Sequence, residues 1–140
     1  MTNLKQKKLA LHFHIPITIK HDGYYYPEYY GNWIDSLAPH FKEIVFLTYS
    51  NKKSDENKYK VTSSNVSLID LGDKPILRNT IINHKKYQNI LKNNLNKFDI
   101  VMYRAPTPLA VFFYPITKDK VNVFFLVANK NPKAVNPGIR

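Results

Sequence analysis

Cysteine is absent from the 140 residues. A disulfide framework, a thiolate nucleophile and a cysteine-type zinc site are therefore excluded, although absence alone does not assign a redox compartment. Long apolar runs are missing as well. The Leu9 to Ile19 stretch is broken by two histidines and a proline, and the Met1 to Lys8 segment before it is polar and basic. That is too short and too polar for a signal h-region or a membrane span, so a soluble, cytoplasmic protein is expected. Arginine is scarce, at three of the 21 basic residues, and acidic residues number only 10. The formal charge of +11 points toward an anionic partner. Few arginines are available to read bases bidentately, and the lysines are scattered through a chain also rich in asparagine, a pattern that codon bias alone produces. Nucleic acid is thus not the expected partner. An anionic membrane surface or a phosphorylated substrate fits the charge better.

What is present is enough for one packed domain. Hydrophobic residues make up 44% of the chain and aromatics 14%, which excludes a disordered polymer. The Phe98 to Ala128 stretch organises the rest. It reads as a strand (Asp99 to Tyr103), a turn, a short apolar helix (Thr107 to Lys118, loosened at Pro115) and a second strand (Val121 to Val127), the form of a βαβ unit. A parallel sheet follows. The turn Arg104-Ala105-Pro106-Thr107-Pro108 falls at the carboxyl end of a strand, where open α/β sheets place ligands. Arg104 there suits a bidentate pair with phosphate or carboxylate, or a tie to backbone carbonyls. Thr107, ahead of Pro108 at the first helical position, is expected to cap the helix amides with its hydroxyl, and helix N-termini also attract anions.

Upstream, Lys8 to Ile15 reads as a first strand, followed by a loop from Pro16 to Pro27 in which Asp22-Gly23 turns the chain before Tyr24, Tyr25 and Tyr26. Glu28 to Phe41 has Tyr30, Ile34, Leu37 and Phe41 at helical spacing, with Trp33 beside them, and ends near Pro39. Glu43 to Tyr49 is a second buried strand, and Ser50 to Lys58 a surface loop. Tyr59 to Ser63 reads as a short edge strand, and Val66 to Leu71 as a firmer one. A long helix is expected from Leu77 to Lys97, with the stripe Leu77, Ile81, His84, Gln88, Leu91, Leu95 and a basic face. The order is βαβββαβαβ. His12 and His14 alternate on one strand face, but no third ligand stands at useful spacing, so a metal site is not expected.

Two stretches together are similar to a known family. Tyr30-Gly31-Asn32-Trp33-Ile34-Asp35-Ser36-Leu37-Ala38, followed by Phe41-Lys42-Glu43-Ile44-Val45-Phe46-Leu47, resembles the first helix and second strand of the N-terminal domain of GT-B fold glycosyltransferases. Arg104-Ala105-Pro106-Thr107-Pro108-Leu109 resembles the Arg-x-Pro-Ser-Pro-Leu turn of those proteins, in particular the retaining family 4. The resemblance runs from Lys8 to about Pro132. It implies a Rossmann-like three-layer α/β sandwich over residues 1–132, with a mostly parallel sheet of about six strands, and residues 133–140 as a linker or truncation point. It also implies a partner: a C-terminal half that would bind the nucleotide sugar and carry the Glu-x7-Glu signature, absent from these residues. No other cofactor is implied. The chain would bind a saccharide or lipid-linked acceptor, and alone would not turn over. Gly23 and Tyr24, in the loop after the first strand, and Asn129 and Lys130, after the last, would join Arg104 and Thr107 as substrate contacts. Many family members carry a His or an acidic residue where Asn129 and Lys130 stand, so no catalytic residue is assigned. The rival is a non-enzymatic α/β module that binds an anionic ligand or nucleic acid.

Overall fold

The computed structural model describes residues 3–51 and 54–126. In chain order the elements are β1 (Lys8–His12), β2 (Ile17–Lys20), β3 (Gly23–Tyr26), α1 (Glu28–Leu37), β4 (Glu43–Thr48), β5 (Ser50–Asn51), β6 (Tyr59–Lys60), β7 (Val66–Asp70), α2 (Leu77–Ile82), α3 (His84–Lys92), β8 (Ile100–Ala105), α4 (Pro108–Thr117) and β9 (Val121–Leu126). Strands β7-β4-β1-β8-β9 form one sheet, in that order, with every neighbouring pair parallel. Strands β5-β2-β3-β6 form a second, smaller sheet. Among the described residues the parallel sheet therefore has five strands rather than about six, because the Tyr59 segment pairs with β3 and not with the main sheet.

Strand alternation separates two cores. Leu9, Leu11, Ile44, Phe46 and Ile100 point to one face, where Tyr30, Ile34 and Ala38 from the α1 region and Ile17, Tyr26 and Val61 from the small sheet cover them. Ala10, Val45, Leu47, Val101 and Tyr103 point to the other, covered by Tyr87 and Leu91 of α3 and by Leu109, Ala110 and Phe113 of α4. Strands covered on both faces must be apolar at successive positions, which is why these segments were legible as strands. From β1 the chain steps outward through β4 to β7, then crosses back to set β8 on the other flank of β1. The direction of strand addition reverses between β1 and β8, and their carboxyl ends flank a crevice.

Several boundaries differ from expectation for tertiary reasons. The loop after β1 is a hairpin: β2 and β3 pair antiparallel around His21 and Asp22, and the Asp22 carboxylate accepts from Tyr25 Oη at 2.8 Å and lies 3.6 Å from Lys60 Nζ. β1 stops at His12, after which the carbonyls of Phe13 and Ile15 accept from Thr48 Oγ1, both at 3.2 Å. The long helix is two helices, broken at Asn83. The break rotates the inward face to Thr80, Tyr87 and Leu91, leaving Leu77 and Ile81 exposed. β8 runs two residues past Tyr103, so Arg104 lies in the strand, opposite Phe125 of β9, rather than in the turn. α4 continues through Pro115 to Thr117. Among the described residues no helix is long and apolar enough to cross a membrane.

Candidate functional site

The crevice between the carboxyl ends of β1 and β8 opens into a cavity on each side of the sheet. One, of about 370 Å³, is lined by Phe13, Tyr29, Tyr30, Trp33, Arg104 and Phe125. Alternation along β8 puts Arg104 on the same face as Ile100 and Met102, over α1. Its guanidinium carbon sits 5.0 Å from the Tyr30 ring centroid, within cation–π range. Around it Phe13 packs on Tyr30 at 4.9 Å and on Trp33 at 5.6 Å, and Trp33 stacks with Phe125 at 6.2 Å. Arg104 Nη1 is buried and finds no hydrogen-bond partner among the described residues. An unpaired buried guanidinium nitrogen is expensive, since donors to charged partners are worth about 1.5–3 kcal/mol each when satisfied. An aromatic wall beside one cation suits a ligand with an apolar ring face and a carboxylate or phosphate.

The second cavity, of about 250 Å³, lies on the opposite face, where His12, His14, Tyr49, Lys74, Thr107 and Pro108 contribute walls. His12 Nδ1 lies 2.7 Å from the Leu47 carbonyl, which only accepts, so Nδ1 carries the proton. Burial lowers its pKa to about 4, against the opposing pull of the Leu47 hydrogen bond, and nearby His14 lowers it further. The ring is therefore neutral near pH 7. Burial also lowers the pKa of His14, helped by the charges of Arg104 and Lys74. Burial pushes Tyr49 up to about 12, so its hydroxyl stays protonated.

Thr107 stands at the N-cap position of α4, but its hydroxyl makes no capping bond. The capping role expected of that hydroxyl is thus corrected. Its carbonyl, not its side chain, meets the Ala110 amide, at 3.2 Å, and Oγ1 is buried without a partner among the described residues.

Of the residues singled out in sequence, Arg104 and Thr107 sit at the crevice on opposite faces of the sheet. Gly23 and Tyr24 line neither cavity. Gly23 starts β3 at the hairpin tip with φ of +149°, and Tyr24 packs edge-on against Phe46 at 5.7 Å. Asn129 and Lys130 lie outside the described residues, as do Val127 and the 133–140 segment. His12 and His14 both line the second cavity, and no group of three or more His, Cys, Asp or Glu suited to a metal occurs among the described residues. Residues that sequence reasoning did not place at a site include Phe13, Tyr29, Tyr30, Trp33 and Phe125 in the first cavity and Tyr49 and Lys74 in the second. The alternation of Phe13 with His12 was a usable signal for one of them; Lys74, in a turn after β7, carried none.

Comparison with family models, with curated protein sequences and with solved structures returns no match to this chain.

Proposed function

We propose that this chain is the acceptor-binding, N-terminal half of a retaining GT-B glycosyltransferase, a Rossmann-like three-layer unit that works against a second half holding the nucleotide sugar. One observation carries the reading: Tyr30 and Arg104, from the two segments that resemble the family and far apart in sequence, meet at 5.0 Å in one aromatic cavity at the strand crossover. Exposed Tyr29 and half-buried Trp33 offer ring faces to a sugar, with Tyr30 packed beneath them, and Arg104 offers charge to an acidic or phosphorylated acceptor. The partner half is supported by β9. This strand has the apolar sequence of a central strand, yet among the described residues it lies at the sheet edge and exposes Val121, Val123, Phe124, Phe125 and Leu126. No residue is assigned to catalysis.

The same reading takes the acceptor to be a polysaccharide or a lipid-linked saccharide reached from an anionic membrane face. Ile76, Leu77, Ile81 and Ile82 are exposed around α2, next to the exposed Arg78, Lys85 and Lys86. An apolar ridge beside cations suits an anionic bilayer interface.

Trp33 is the chain's single tryptophan and stands in the cavity wall, so its fluorescence reads the site directly. Titration with neutral, acidic and lipid-linked saccharides should shift its emission for at least one class, and Arg104→Ala should weaken that response about tenfold for an anionic acceptor. If no saccharide class perturbs Trp33, the acceptor reading is lost and the stand-alone binding module becomes the better account.

A further inference from the structure

We propose that the second cavity, between the end of β1 and the N-terminus of α4, is a binding site for a phosphoryl group. The inference goes beyond the acceptor reading and does not need it, because this cavity lies on the other face of the sheet and shares no lining residue with the aromatic one. Three independent features converge here. The first is the start of a ten-residue helix that follows a parallel strand, where free amides and the helix dipole favour negative charge. Pro108 at the first position has no N–H, so the Leu109 amide, which has no intrahelical partner, becomes the leading backbone donor.

The second feature is Thr107. Its side chain is buried, with the residue only 5% exposed, it lines the cavity, and Oγ1 has no hydrogen-bond partner among the described residues. A hydroxyl at an N-cap would ordinarily turn onto its own helix; held instead against the cavity wall, it is a donor awaiting an acceptor from outside the protein.

The third feature is charge. Lys74 lines the cavity, Arg104 is close enough to act on His14 in its wall, which burial and these charges keep a neutral hydrogen-bond partner, and no carboxylate is among the lining residues. His12 is neutral and supplies no charge. At about 250 Å³ the space falls below the usual range for a whole cofactor, and fits a phosphate or diphosphate group better than an entire nucleotide.

The test titrates the full chain with inorganic phosphate, inorganic diphosphate and, separately, phosphatidylcholine vesicles doped with phosphatidic acid, following backbone amide resonances of His12, Phe13, His14, Thr107, Leu109 and Ala110. Thr107→Val keeps the shape and removes the hydroxyl, Thr107→Ser restores it, and Lys74→Ala removes the charge. Phosphate or diphosphate should shift these resonances, with affinity reduced about tenfold in Lys74→Ala and several-fold in Thr107→Val, and largely kept in Thr107→Ser. Thr107→Val should also leave the unliganded protein as stable or more so, since it deletes an unpartnered buried hydroxyl. Weaker binding without lost stability is a result that a purely structural threonine does not give. A response to the soluble anions alone assigns a soluble ligand, and vesicle capture that Thr107→Val weakens assigns a lipid-borne phosphate. No shift with any of the three probes, or shifts that both Thr107→Val and Lys74→Ala leave unchanged, overturns the site. Neither result bears on Trp33, so failure here and failure of the acceptor reading are separable.

Discussion

Asp35 shows how much one side chain can organise. Its carboxylate accepts from Tyr59 Oη at 2.7 Å, from the amides of Thr62 and Ser63, and from both their hydroxyls, fastening α1 to the chain after β6. Burial opposes its ionised form, but the hydrogen bonds from Ser63, Tyr59 and Thr62 outweigh it and lower the pKa to about 2. Because the folded pKa lies below the unfolded one, this stabilisation is complete above about pH 4 and is lost as pH falls toward 2. Asp35→Ala should cost about 1–2 kcal/mol in urea unfolding at pH 7, after allowing for the partial exposure of the carboxylate, and the deficit should shrink at pH 2.5. His12 works at a higher pH. Its folded pKa is lowered to about 4, so protonation of the unfolded chain erodes stability as pH falls from about 6.5 toward 4. Between pH 6.5 and 5 the loss from this residue should be about 2 kcal/mol, and His12→Gln should flatten that part of the stability profile. Gly31 makes the opposite point about propensity. Alanine is the better helix former by about 1 kcal/mol, but a Cβ at Gly31 would run into the Tyr59 ring, which Asp35 holds in place. Gly31→Ala should therefore destabilise by about 1–3 kcal/mol in chemical denaturation, the usual cost of overpacking.

At the scale of elements, the parallel strands were readable and the small sheet was not. β1, β4 and β8 carry near-continuous apolar runs, a local property of a strand buried on both faces, and β9 carries one although it is exposed. β2 and β3 read as loop because His21-Asp22-Gly23 and three tyrosines look like a turn with aromatics, and their pairing partners in β5 and β6 are only two residues long. The helix from Leu77 was expected to be unbroken because its apolar spacing carries through Asn83; only packing of Tyr87 against Tyr49, at 5.8 Å and nearly perpendicular, reveals the change of face. Native-state amide hydrogen exchange should rank the elements accordingly. Leu9 to Leu11 in β1, flanked by strands on both sides, should exchange most slowly, whereas amides in β5 and β6 should exchange orders of magnitude faster.

For the whole molecule, the +11 charge and the α2 ridge predict a measurable behaviour. The chain should sediment with anionic vesicles at low salt and be released as ionic strength nears ~0.15 M, where screening acts over about 8 Å. Replacing Lys85 and Lys86 with Glu should lower capture at every salt concentration, and replacing Ile81 and Ile82 with Ser should lower what survives at high salt. Capture indifferent to both pairs would assign the binding to diffuse charge rather than to this ridge.

By itself the sequence determined that a parallel βαβ unit would form within the Phe98 to Ala128 stretch, and that Arg104 and Thr107 would stand between the end of its first strand and the start of its helix. Those conclusions rest on local physics: strand burial demands apolar runs, and a proline after threonine marks a helix start. Only the tertiary structure decided that the main sheet has, among the described residues, five parallel strands whose order of addition reverses between β1 and β8. It also decided that Arg104 would lie over Tyr30, and that the Thr107 hydroxyl would line a cavity instead of closing its own helix. The sheet order and the Arg104 contact depend on partners dozens of residues away, and the orientation of the Thr107 hydroxyl depends on how β8 and α4 are set against the rest of the sheet. No window of sequence contains that information.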